Sequence, residues 1–268
     1  RIVEPGMEVL KSIFTVPGDA GDTIVYRIEI ENLESGNYDA TGFDLVLSDT
    51  FDANLENLAV DSVSTTQTSP CLGNGSGTTA YSDNGGSFTG QDLTFTAACL
   101  DPGQTITLQI SGRVVDDVPA GYLIENDADL TWTSLPGEKG TAPNPTGSDV
   151  DDTSITEDES GGSRGERNGS GSPAINDYFD TDDADLTLNV PVPVKSIVST
   201  SASHTSEVGD GSPGNPRDLA IGETIRYRLA ISLPEGTNTN ITLEDVLPAG
   251  FSYVDDSTVQ VSFIADLD

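Results

Sequence analysis

At 268 residues the chain has room for one or two domains, and a hydrophobic share of 35%, with 6% aromatic, leaves a thin core for that length. Asp and Glu number 45 against 11 Lys and Arg, for a net charge of −34. That charge argues against nucleic-acid phosphates and anionic membrane surfaces as partners, and no apolar run approaches the roughly 18 residues of a membrane-spanning helix.

In chain order the first half reads as strands. Ile24–Ile30 mixes alternation with β-branched and aromatic residues, and Phe43–Asp49, Leu93–Ala97 and Thr105–Val114 alternate apolar with polar. Leu123–Thr133 alternates again and holds the single tryptophan, Trp132. Turn signals separate them at Pro17-Gly18, Ser35-Gly36-Asn37, Asp101-Pro102-Gly103 and Pro119-Ala120-Gly121, where proline presets φ and glycine admits positive φ. No window has helical periodicity. The pattern is all-β, of the sandwich type.

From 136 to 185 the composition changes. Asp149 to Asp185 contains 12 acidic residues against Arg164 and Arg167, set among Gly and Ser. A last strand, Ala184–Val190, is expected to follow, and Pro191-Val192-Pro193-Val194 then reads as a stiff linker.

After this linker the opening text returns. Lys11-Ser12-Ile13 recurs as Lys195-Ser196-Ile197, Gly21-Asp22-Thr23-Ile24-Val25-Tyr26-Arg27 as Gly222-Glu223-Thr224-Ile225-Arg226-Tyr227-Arg228, and Leu47-Ser48-Asp49 as Leu243-Glu244-Asp245. The offsets of 184, 201 and 196 residues fit one domain repeated with different loop lengths. The expected organisation is one domain over 1–190 with an acidic insertion at about 136–185. A second copy over 191–268 carries only the first strands of the repeat and is therefore incomplete.

Two features bear on chemistry. Cys71 and Cys99 are the only cysteines, and a single pair in a Ser/Thr/Gly-rich β chain suggests a disulfide and an oxidising compartment, the alternative being two buried thiols. The acidic tract offers Asp149, Asp151, Asp152, Asp177, Asp180, Asp182, Asp183 and Asp185 as oxygen ligands for Ca2+, although their spacing is not that of an EF-hand loop; the alternative is a solvated charge run.

The lysine in the first strand, the Gly-Asp/Glu-Thr-Ile-x-Tyr-Arg strand and the Asp245 to Leu247-Pro248-Ala249-Gly250-Phe251 turn together resemble the tandem Ig-like repeats of giant bacterial surface proteins. These overlap with the isopeptide-forming fimbrial domains. Ile124-Glu125-Asn126-Asp127-Ala128 is similar to that family's closing strand. Ser48-Asp49-Thr50-Phe51 departs from the pattern, lacking the proline and glycine of the second copy.

The resemblance implies that a first-strand lysine attacks the amide of a last-strand asparagine while a buried carboxyl moves the protons. In this sequence these are Lys11, Asn126 and Asp49, with Asp44 or Glu29 as alternative acids. Only three lysines exist, and two, Lys11 and Lys195, hold equivalent repeat positions. The plainer alternative is a lysine that snorkels to a surface aspartate.

An enzyme is not expected. Gly161-Gly162-Ser163-Arg164-Gly165 has the spacing of a nucleophile elbow but no flanking strand and helix, and His204 is the only histidine. The implied function is a structural module of a secreted or bacterial cell-surface fibre or adhesin stalk, with neighbouring repeats or copies of the same protein as partners. The alternative is a Ca2+-dependent glycan-binding module, for which Tyr178 and Phe179 are the aromatic residues beside the acidic tract.

Overall fold

The computed structural model describes residues 3–36, 38–72, 78–137, 178–202 and 215–264. These residues hold strands and no helix. In chain order the strands are β1 (Met7–Thr15), β2 (Thr23–Asn32), β3 (Gly42–Thr50), β4 (Leu55–Thr65), β5 (Cys71–Leu72), β6 (Thr78–Thr79), β7 (Ser87–Thr89) and β8 (Asp92–Leu100). There follow β9 (Thr105–Val114), β10 (Leu123–Ile124), β11 (Asp127–Thr133), β12 (Tyr178–Asp183), β13 (Leu186–Thr187), β14 (Val192–Thr200) and β15 (Ile225–Ser232). The chain divides into two compact units, Arg1–Val192 with Ile231–Asn238, and Pro193–Ala230 with Thr239–Asp268.

The first unit is a sandwich of two antiparallel sheets, one ordered β1-β2-β9-β4 and the other β12-β11-β3-β8-β7. Alternation decides what each strand buries. Ile24, Tyr26, Ile28 and Ile30 of β2 and Ile106, Leu108 and Ile110 of β9 face inward from one sheet. Leu45 and Leu47 of β3, Leu93 and Phe95 of β8, and Leu130 of β11 meet them from the other. Gly103, at φ 73°, turns the chain between β8 and β9, and its N–H donates to the Asn32 carbonyl at 2.7 Å.

Several elements differ from the expectation. The strand expected over Ala184–Val190 is only Leu186–Thr187, β14 already begins at Val192 inside the expected linker, and β12 lies within the span assigned to the acidic insertion. Leu123–Thr133 is not one strand: it breaks at Glu125-Asn126 into β10 and β11. At the break the Asn126 N–H donates to Asp185 Oδ1 at 3.0 Å, and its carbonyl accepts from the Ala184 N–H. Strand β4 has no clean period-two signature in the sequence. Its register slips between Glu56 and Ala59 and again between Val60 and Ser62, and Asn57 sits at φ 56°, so apolar residues do not stay on one side.

β1 lies at the edge of its sheet and is closed by side chains. Asp180 Oδ2 accepts the Val9 N–H at 2.7 Å, and Asp182 Oδ2 accepts the Lys11 N–H at 2.6 Å. Two carboxylates of β12 thereby stand in for the carbonyls of a further strand.

In the second unit β14 pairs with β15. Lys195-Ser196-Ile197 lies on β14 as Lys11-Ser12-Ile13 lies on β1, and each strand pairs with the Tyr-Arg strand that follows it. Gly250, at φ 95°, closes the Pro-Ala-Gly turn, where the Phe251 N–H donates to the Pro248 carbonyl.

Cys71 and Cys99 form a disulfide with an S–S separation of 2.01 Å, buried against Phe43. It ties β5 to β8 across 28 residues. Replacing both cysteines with alanine should lower stability by about 3.5 kcal/mol on the loop-entropy model, read as a lower urea midpoint.

Candidate functional site

The same alternation that builds the core carries three polar residues into it. Met7, Val9 and Lys11 share the inward side of β1, while Leu10 between them is 45% exposed. Leu45, Leu47 and Asp49 share the inward side of β3. Asn126 continues the inward series Ala128, Leu130, Trp132 of β11. Each polar residue ends an apolar series, and β3 and β11 are neighbours with Asp49 opposite Ala128.

Lys11 and Asp49 are in direct contact, with Nζ donating to Oδ2 at 2.7 Å, and both side chains have no exposed surface. The Nζ also stands 5.4 Å from the ring centre of Tyr26 and 5.2 Å from that of Phe51, within range of a cation–π attraction. The two rings meet edge to face at 5.3 Å. Asp49 further lines a cavity together with Asn126. Asn126 is 1% exposed, and among the described residues neither its Oδ1 nor its Nδ2 has a hydrogen-bond partner, and nor does Asp49 Oδ1.

Burial shifts both members of the pair toward their neutral forms. It lowers the Lys11 amine below its ordinary value, against the opposing pull of the Asp49 carboxylate. It raises the Asp49 carboxyl to about 6, against the Lys11 ammonium and with help from the charges of Asp127 and Asp129. The Tyr26 phenol is raised by burial and by Asp49. Burial therefore favours the neutral form of each group, and the 2.7 Å hydrogen bond joins the two atoms between which their proton would pass.

The alternative acids are engaged elsewhere. Asp44 accepts from the Thr133 hydroxyl at 3.2 Å and the Gly137 N–H at 2.7 Å, and Glu29 pairs with Arg27 on the outer face. The second unit repeats the arrangement in a more open form. Lys195 Nζ donates to Asp245 Oδ1 at 2.7 Å and lies 4.3 Å from the Tyr227 ring centre, with 37% of its side chain exposed. Sequence reasoning missed the aromatic wall of Tyr26 and Phe51, although Tyr26 and Tyr227 occupy the same place in the repeat.

Of the eight aspartates assigned to calcium, Asp149, Asp151, Asp152 and Asp177 lie outside the described residues. Asp180, Asp182 and Asp185 accept backbone N–H groups, and Asp183 ends β12. Among the described residues no group of three or more His, Cys, Asp or Glu side chains could hold a metal ion. Ser163 and His204 also lie outside the described residues. Tyr178 is buried and stacks on Trp132 at 5.7 Å. No helix among the described residues is long and apolar enough to cross a membrane.

No family model and no curated protein matches the sequence. Among solved structures the chain is similar to the major pilin SpaD of Corynebacterium diphtheriae, at 14% identity over 70% of this chain and 36% of that one, with a TM-score of 0.37. A modular three-domain backbone pilin of Streptococcus pyogenes is 13% identical over 86% of this chain and 46% of its own, TM-score 0.37. The fimbrial adhesin FimA of Actinomyces is 15% identical over 87% and 82%, TM-score 0.37. The chain spans between 36% and 46% of the length of the first two pilins. These neighbours are pilins and a fimbrial adhesin.

A raised Asp49 has a definite sign in the pH dependence of stability. Below about pH 4 the carboxyl is protonated in both states, and between about pH 4 and 6 the folded state holds the proton more tightly, so stability falls as pH rises through that window. With the Asn126→Ala substitution keeping the Lys11–Asp49 pair intact, the urea midpoint should fall from pH 4 to pH 6.5. Adding Asp49→Asn should make that fall smaller; an equal fall in both variants would contradict the assignment.

Proposed function

We propose that the chain is a structural module of a secreted or cell-surface bacterial fibre, and that its first unit is locked by an isopeptide bond between Lys11 and Asn126. The observation that supports this most is Asn126. An amide buried at 1% exposure with neither side-chain atom hydrogen-bonded costs about 1–3 kcal/mol per unsatisfied group. It stands at the cavity of Asp49, which in turn holds a fully buried lysine. A core keeps three such groups together at a cost, and a reaction that consumes the amine and the amide removes that cost.

The chemistry balances without an added reagent. The Lys11 ammonium gives a proton to Asp49, and the neutral Nζ attacks the Asn126 side-chain carbonyl carbon. Asp49 takes a second proton from Nζ as it gives one to the amide nitrogen. The new C–N bond stays, the old one breaks, and ammonia leaves. Tyr26 and Phe51 exclude water from Nζ and favour its attack on the amide over rehydration. The disulfide accords with an oxidising compartment outside the cytoplasm. A repeating domain with a covalent tie from its first strand to a late strand suits a filament that bears load, with neighbouring repeats or copies of the same protein as partners.

Intact mass of the full chain under reducing conditions tests the bond. The chain should be lighter than its sequence by one ammonia, and Lys11→Ala, Asn126→Ala and Asp49→Ala should each restore the sequence mass and melt at lower temperature. A parent chain at full sequence mass would overturn the bond. Calcium remains part of the proposal for the acidic residues 149–177 only. Added EDTA should lower the melting temperature, and unchanged melting would remove calcium from the reading.

A further inference from the structure

The cavity beside Asp49 has a volume of about 250 Å³ and is lined by Ser48, Asp49, Thr50, Glu125, Asn126, Asp127 and Asp129. Four of its seven lining residues are acidic, and a fifth is buried Asn126, whose side-chain atoms have no hydrogen-bond partner among the described residues. The register explains the composition: Asp129 pairs with Ser48 and Ala128 with Asp49, so the acidic outer positions of β11 flank the end of β3 where Asp49 turns inward. We propose that the carboxylates rimming this cavity, Asp129 foremost, are positioning residues that drive proton movement onto Asp49 and draw the released ammonia out as ammonium. The inference rests on the isopeptide reading of the same site.

Two arguments carry the proposal, and the first singles out Asp129. A negative charge near Asp49 favours the state with the proton on Asp49 over the state with the proton on Lys11, provided that it acts on Asp49 more than on Lys11. Asp127 acts on both groups, so its effects partly cancel, and Asp182 acts on the Lys11 side from β12. Asp129 lies opposite Ser48, beside the Ala128–Asp49 pair, in the sheet that carries Asp49 and not in the one that carries Lys11. From β2, Tyr26 faces the pair as an un-ionised phenol. The second argument concerns the product. Ammonia becomes ammonium in neutral water, and a cavity lined with Glu125, Asp127 and Asp129 is a favourable place for a small cation to form and leave.

The test follows bond formation in the full chain, recovered unfolded in urea and diluted into buffer. Loss of one ammonia is timed by mass, and folding is timed by the fluorescence of Trp132. The parent is compared with Asp129→Asn and with Asp129→Glu, across pH 5 to 8 and at low and high NaCl. Asp129→Asn should fold at the parental rate and form the bond about threefold more slowly, the size expected of one charge several ångströms away in a partly solvated site. Its rate should decline at lower pH than the parent's, and Asp129→Glu should recover most of the loss. High NaCl should slow the parent toward the variant by screening the rim, without changing the rate of folding. Equal bond-forming rates in parent and Asp129→Asn at every pH, or a parental rate indifferent to salt, would overturn the role of the rim while leaving the bond intact. A parent that never loses ammonia removes the bond and this inference together.

Discussion

A fully buried lysine held by a fully buried aspartate is the contact on which the rest of the first unit turns. Lys11 and Asp49 come from opposite sheets, so their 2.7 Å hydrogen bond spans the sandwich at the end of its core. Charges removed from water favour recombination into neutral groups, and burial shifts both partners in that direction. The aromatic walls, the unpartnered amide of Asn126 and the acidic cavity are all arranged around this pair. As an ordinary ion pair it would contribute little stability. On the proposed reading the same two groups are the amine and the acid of a covalent closure.

Much of this was legible in the sequence because period-two alternation is a geometric constraint. Once Met7 and Val9 are assigned inward, Lys11 must be inward too, and the same holds for Asp49 after Leu45 and Leu47. What could not be read was whatever breaks the period. The slips in β4 hide its pairing with β9 at the sheet's edge, and the interruption at Glu125-Asn126 depends on Asp185, 59 residues further on. The partners of Asp180 and Asp182 were equally hidden. A carboxylate that accepts a distant backbone N–H has the same local sequence as one that faces solvent or a cation.

The heavy acidic balance therefore has several uses in one molecule. Asp49 is buried and takes part in the pair, Asp101 accepts from Thr41 and Gln67 at the base of the disulfide-linked excursion, and Asp52 receives the Tyr122 hydroxyl. Asp180, Asp182 and Asp185 complete backbone hydrogen bonding where strands end or lie at an edge. Aspartate suits these places because its short side chain brings two acceptors close to the main chain with little rotamer entropy to lose. Net charge alone therefore says little about ligands in this chain.

The closure of β1 by Asp180 and Asp182 also sets an order of events during biosynthesis. Val9 and Lys11 emerge from the ribosome 171 residues before the carboxylates that cover them. At ordinary elongation rates that interval is roughly 10–30 s. Throughout it, the outer edge of the first strand is open and Asn126 lacks the Asp185 contact that shapes its turn. The edge of β1 can therefore be closed only once Asp182 has been made, and a chain shortened before that residue would keep this sheet edge open.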